Sequence, residues 1–528
     1  MKNKFIYLSV LALAFASCEP EFENEIDSST YSAGEADFTS YVALGNSLTA
    51  GFMDGTVFRS GQQYSFPNIL SQQFALVGGG EFTQPSFADD TNNLGGMLFM
   101  GNPIGATRMI INASAGGPQN IAGMPTVEIS NLQERAYNNM GVPGAKSFHL
   151  VAPGYGNVTN VATGQANPYF VRHATSPTTT VLADAMSMNP TFFTNWIGAN
   201  DILSYATNGG ANSDGNTPAA DHNNTGNTNP ATYEGNDITN SNVFASVYNT
   251  LITTLTSNGA KGVVATIPSV TSIPYFTTVP HNPITAEVIN ANPQAPLLVQ
   301  LYQFLAVATN GRIAPLNTEE GTTNPILITD VELSDLGAQI SAYAAGSGNP
   351  LLEQYAVQLG ALYGRARQAT ANDLVVLTAS SVIGTPNANS VAPFDVNGVT
   401  FPMANKWVLT SSEQARVASA TTSFNNSIKA IAQANGLAVA DMNQIMAQLA
   451  DFGKGLTSED GQTYYANYFS LDKMNTTLFS LDGVHPNAKG YAVVANEIIK
   501  VINNHYGSHL PLVVPGTYPG ATILATNN

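Results

Sequence analysis

The chain has 528 residues, 44% hydrophobic and only 10% charged, with a formal net charge of -18. So large an apolar fraction supports a sizeable buried core in one large domain or two to three ordinary ones, and excludes a disordered polyelectrolyte. The acidic balance, without any dense Lys/Arg cluster, excludes nucleic acid as a partner.

Met1 to Lys4 is basic and Phe5 to Ala16 apolar, a pattern too short to span a membrane comfortably and typical of a signal peptide. Cys18, the single cysteine, follows Phe15-Ala16-Ser17 and so resembles a bacterial lipoprotein cleavage box. That resemblance implies a signal peptide over 1–17 and a lipidated Cys18. The body would then be extracytoplasmic, attached to the outer membrane through its lipid or displayed at the cell surface. Glu19, Glu21, Glu23 and Glu25 are similar to the acidic surface-export signal of Bacteroidetes lipoproteins; a plain solvated linker is the alternative. The polar stretch 18–38 reads as a tether, with structure beginning at Thr39.

Tyr41 to Leu44 is the first short apolar run of strand character, and it delivers Gly45-Asn46-Ser47-Leu48. The segment Asn139-Met140-Gly141-Val142-Pro143-Gly144 falls at a predicted strand end or turn. Phe192 to Ile197 is a second strand, followed at once by Gly198-Ala199-Asn200-Asp201. Gly209 to Asn229, dominated by Asn, Gly, Thr and Ser, is expected to be an exposed loop with little intrinsic order. Val243, Val247, Leu251 and Leu255 recur at helical spacing, and Gly262 to Ile267 is a third strand.

Residues from about 274 to 370 include two helix candidates, Pro296 to Ala308 and Leu351 to Ala366. Leu374 to Leu377 and Leu437 to Ala440 are further strand candidates. Ser412 and Glu413 open a long helix through Ala434, and Tyr491 to Ile502 gives the last amphipathic helix. Strands alternating with helices predict an α/β fold, a three-layer sandwich with a mainly parallel central sheet. In such sheets ligands gather beyond the carboxyl ends of the strands, which is where Ser47 falls. Insertions are expected at about 75–135, 205–240 and 274–370 within a domain covering 39–506, and 507–528 reads as an extended tail.

Asp482-Gly483-Val484-His485-Pro486 places a carboxylate and an imidazole three residues apart, so one tight turn can direct both to the same side. A serine hydroxyl becomes a useful nucleophile when a histidine takes its proton and a carboxylate orients that histidine. The other histidines, His149, His173, His222, His281, His505 and His509, read as loop or surface residues. This chemistry requires no metal.

Each short motif is common by chance; their joint order is not. With these four blocks the sequence resembles the SGNH, or GDSL-type, hydrolase superfamily, over about half of the chain that remains after signal removal. The resemblance implies a flavodoxin-like SGNH fold and hydrolysis of carboxylic esters through an acyl-serine intermediate, without a cofactor. It assigns Ser47 as nucleophile, Asp482 and His485 as its partners, and Ser47, Gly144 and Asn200 as oxyanion donors. Gly141 is the alternative to Gly144.

Asn46 stands where the family usually has Asp, and the absence of a Gly-x-Ser-x-Gly elbow disfavours the α/β-hydrolase fold. The substrate implied is a lipid ester or an acylated glycan. Ile273 to Phe276 and Pro296 to Ala308 are candidates for an apolar acyl pocket or lid, or simply for extra core. A surface lipoprotein with weak catalysis that binds glycan or lipid through its insertions is the competing function.

Overall fold

Tyr41–Gly45 is buried at every position, as a strand must be when helices cover both faces of its sheet. In the computed structural model, which describes residues 30–524 apart from 113, 115 and 116, this strand (β1) lies within a five-stranded sheet. Its companions are β2 (Asn139–Gly141), β3 (Phe192–Trp196), β4 (Lys261–Ala265) and β5 (Ala438–Ala440). All neighbours are parallel, with Ala43 opposite both Asn139 and Thr194, and the spatial order is β2-β1-β3-β4-β5. This is the flavodoxin-like order, whose direction of winding reverses between β1 and β3 and leaves a crevice at their carboxyl ends.

The alternation of side chains along each strand separates two cores. Val42, Leu44, Phe193 and Val264 face one cluster; Tyr41, Ala43, Phe192, Val263 and Ala265 face the other. Helices Ser241–Leu255 and Ser411–Ala434 cover the first face, where Phe244 and Phe424 stack at 4.2 Å between ring centroids. Helices Phe66–Ala75 and Ala488–Tyr506 cover the second. The three layers follow from this division of apolar faces.

Local signals set the helix ends. Thr410 and Glu413 form a capping box at the start of Ser411–Ala434, the Thr410 amide donating to Glu413 Oε2 at 2.7 Å. Asn487 caps Ala488–Tyr506 by accepting from the Gly490 amide, and Gly507 ends that helix at φ +62°.

Several segments depart from expectation. Leu374–Val375 does not join the central sheet but pairs antiparallel with Val408–Leu409. Its place as fifth strand is taken by Asn139–Gly141. Buried Asn139 is satisfied by donating to Thr49 O and Gln84 Oε1 and by accepting from the Gly141 amide. Leu351 to Ala366 is two short helices, Pro350–Gln354 and Ala356–Tyr363, and then a strand, Ala366–Gln368, paired with Leu327–Thr329.

Gly209 to Asn229 is more ordered than its composition suggests. It contains the helix His222–Thr225, in which buried His222 binds Asp237 at 2.9 Å and stacks on Tyr233. His173 is also buried rather than at the surface; loss of solvation lowers its pKa to about 3, so the ring is neutral. Structure begins before Thr39, because Phe38 is apolar enough to dock: it stacks on Phe74 at 4.0 Å, and the Glu35 amide donates to Tyr506 O. In the tail, Leu510 is buried and Ile523–Leu524 pairs with Ile111–Asn112. Residues 1–29, with Cys18 and the signal peptide, lie outside the described residues.

Candidate active site

β1 ends at Gly45, and the chain turns directly into the short helix Ser47–Ala50. Asn46 caps that helix: its Oδ1 accepts from the Leu48 amide at 3.0 Å. Capping needs only a neutral acceptor, so asparagine satisfies this position without a carboxylate. Gly51 closes the helix at φ +78°, and Ser47 is held at the β1/β3 crevice with 6% of its surface exposed.

His485 reaches the serine from 438 residues away in the chain. Its Nε2 lies 2.8 Å from Ser47 Oγ, and its Nδ1 lies 3.0 Å from Asp482 Oδ2. Facing a carboxylate, Nδ1 carries the ring proton, so Nε2 presents its lone pair to the serine hydroxyl. Both His485 and Asp482 side chains are about 13% exposed. The tilted ring of Phe52 packs on the imidazole at 4.5 Å between centroids and restricts its rotation.

The turn carrying this pair is rigid. Gly483 sits at φ +72°, and a Cβ there would come within 2.8 Å of Leu377, so neither the backbone nor the space admits a side chain. Gly483 O accepts from the Tyr275 amide, and the Ser480 amide donates to His485 O. Asp482 Oδ1 accepts from the Val484 and His485 amides at 2.9 and 2.8 Å, and Oδ2 also accepts from the Gly55 amide. Burial acts to raise the Asp482 pKa, but His485 and these amides outweigh it and hold the carboxyl below its ordinary value. Asp482 is therefore ionised at neutral pH.

A second carboxyl stands behind the first. Buried Asp54 accepts from the Leu481 amide through Oδ1 at 3.0 Å, while its own amide donates to Ser480 Oγ. Burial pushes its pKa up to about 7, with a further rise from Asp482. Asp54 and Gly55 thus bind three consecutive residues, 480 to 482, across most of the sequence. Nothing in the local sequence marks them, because their partners are more than 400 positions away.

Asn200 opens the helix Asn200–Thr207 beyond β3 and lines the same cavity as Ser47 and His485. One of its two amide hydrogens goes to Ala145 O at 3.0 Å. Asp201 secures the same segment from its other side, accepting from the Ser147 amide and hydroxyl, both at 2.8 Å. Gly144 immediately precedes this clamped stretch, at φ +79° and exposed, while Asn167 fixes Pro143 O before it. Gly141 is different: it is buried in β2, its amide donates to Asn139 Oδ1, and a Cβ would meet the Ala50 amide at 2.3 Å. It is a packing glycine with its donor already engaged.

The cavity that opens beside Ser47 has about 850 Å³ of empty space, part of it open to solvent. Of the segment Ile273 to Phe276, Ile273 contributes to its wall, while Pro274, Tyr275 and Phe276 do not. Pro296 to Ala308 does not; Leu297, Leu298 and Leu301 line a separate hollow with Phe394. Instead the helix Met442–Ala450, which follows β5, supplies Met442, Ile445, Met446 and Leu449. Their i, i+3, i+4, i+7 spacing was the available sequence signal.

Among known proteins, a family model described as GDSL-like Lipase/Acylhydrolase matches residues 290–498, a span that holds Asp482 and His485 but not Ser47, Gly144 or Asn200. No curated protein and no solved structure matches the chain.

Proposed function

We propose that this chain, which belongs to the SGNH/GDSL hydrolase superfamily and is an ester hydrolase, works through Ser47 as nucleophile, His485 as general base and Asp482 as the group that orients His485. The observation that carries this reading is the continuous hydrogen-bonded relay from Ser47 Oγ through His485 to Asp482. As Ser47 Oγ attacks the ester carbonyl, Nε2 takes the hydroxyl proton and the Asp482 carboxylate stabilises the resulting imidazolium. The same imidazolium then protonates the departing alkoxide. Water, activated by neutral His485, cleaves the acyl-serine and restores the free hydroxyl.

The tetrahedral oxyanion is to be held by the amides of Ser47 and Gly144 and by the free hydrogen of the Asn200 side chain. Each such donor is worth roughly 3 to 4 kcal/mol in comparable sites. Gly144 is preferred over Gly141 because Gly141's amide is already bonded, whereas Gly144 is exposed and precedes the stretch clamped by Asn200 and Asp201. The substrate is a carboxylic ester, either of a lipid or of an acylated glycan. Lipidation at Cys18 and an outer-membrane location belong to the same proposal and rest on the sequence alone.

Steady-state hydrolysis of a chromogenic ester tests the mechanism. Ser47→Ala is expected to lower kcat by a factor on the order of 10⁶, down to the contribution of binding and the remaining donors. Near-normal turnover by that variant would exclude Ser47 as nucleophile.

A further inference from the structure

The walls of the cavity beside Ser47 divide sharply by chemistry. Among the side chains that line it, the polar ones are those of Asn46, Ser47, Asn200 and His485, all gathered at the reacting end, and Asn46 Oδ1 is already taken by the Leu48 amide. Trp196 also lines it, but its indole N–H is already given to Thr266 O. Everything beyond is apolar, and no charged side chain takes part. Met442 and Met446 come from the helix after β5, and Val493 and Val494 from the last helix of the chain. Val270 and Ile273 add a third side.

A sugar hydroxyl entering such a space would exchange water for hydrocarbon without a partner, whereas an alkyl chain would lose nothing. An acetyl group, by contrast, would leave most of the hollow unfilled. From this we infer that the hollow is an acyl-chain pocket: the enzyme takes esters of extended apolar acyl groups, and helix Met442–Ala450 sets their length. This inference rests on the catalytic reading of Ser47. The two methionines suit the role, since unbranched, polarisable side chains re-pack around chains of differing length.

The test is the ratio of kcat/KM for p-nitrophenyl octanoate to that for p-nitrophenyl acetate. Each buried methylene contributes about fourfold when transfer from water is complete, so the wild-type ratio is expected to exceed tenfold. Met446→Trp, which fills the pocket, is expected to lower that ratio by at least tenfold. Val494→Phe on the other helix, at a partly exposed and more tolerant position, must lower it in the same direction. A wild-type ratio near or below one overturns the inference, as does an equal loss on both esters in both variants. The catalytic reading fails separately: Ser47→Ala would then hydrolyse both esters as wild type does, whatever their ratio.

Discussion

Two neighbouring carboxyls behind His485 are set apart by their surroundings. Asp482 gathers amide donors and an imidazole and stays ionised, whereas Asp54 is buried with one amide bond and its pKa rises to about 7. The folded chain therefore holds a proton on Asp54 over a range, from about pH 4 to 7, in which the unfolded chain has released it. Stability contributed by Asp54 falls as pH rises through that window, by up to about 4 kcal/mol at 1.36 kcal/mol per unit. Asp54→Asn keeps an acceptor for the Leu481 amide without the titration, so urea denaturation is expected to show a larger gain for the variant at pH 8 than at pH 5. Equal effects at both pH values would show that Asp54 does not titrate there. For the reaction itself, Asn200→Ala is expected to reduce kcat by about 10²- to 10³-fold with little change in KM, measured on a short-chain ester. A change confined to KM would mean that Asn200 binds the ground state only.

At the scale of elements, the strands buried on both faces were legible because their side chains are nearly all apolar. Tyr41, Phe192, Val263 and Ala438 each begin or lie in such runs, and all four runs entered the central sheet. Asn139–Gly141 was not legible, since its membership depends on bonds from Asn139 to residues 49 and 84. Leu374–Val375 has strand composition, but its pairing with Val408–Leu409 is a matter of distant topology. The serine, asparagine and Asp-His blocks were readable for a different reason: each is short and common alone, but together they occur in the order that the resemblance implies, beside strand ends and turns visible in the sequence. The capping box of Ser411–Ala434 was also visible in part, from Ser412 and Glu413, though the cap itself is Thr410. Thr410→Ala is expected to cost about 1 kcal/mol, and Phe424→Ala, which removes the ring stacked on Phe244, about 3 to 5 kcal/mol. Thermal denaturation of the two variants should rank them in that order.

The molecule as a whole brings its ends together to build the site. β1 carries Ser47 near the beginning, the turn before the last helix carries Asp482 and His485, and the sheet fixes the distance between them. Segments outside the central sheet have different fates: Phe87, Met97, Val127 and Ile129 form a small satellite core with Ala50 and Val57, while 295–308 packs away from Ser47. If Cys18 carries the proposed lipid, Cys18→Ser should move the protein from the membrane fraction to the soluble one without changing its specific activity. Retention in the membrane would remove the anchor from the account. The most direct measurement for the central claim is mass spectrometry of the protein treated with a fluorophosphonate. The account predicts a single phosphonyl adduct on the peptide containing Ser47, absent from Ser47→Ala and formed far more slowly in His485→Ala. An adduct on another residue, or undiminished hydrolysis with Ser47 unlabelled, would contradict it.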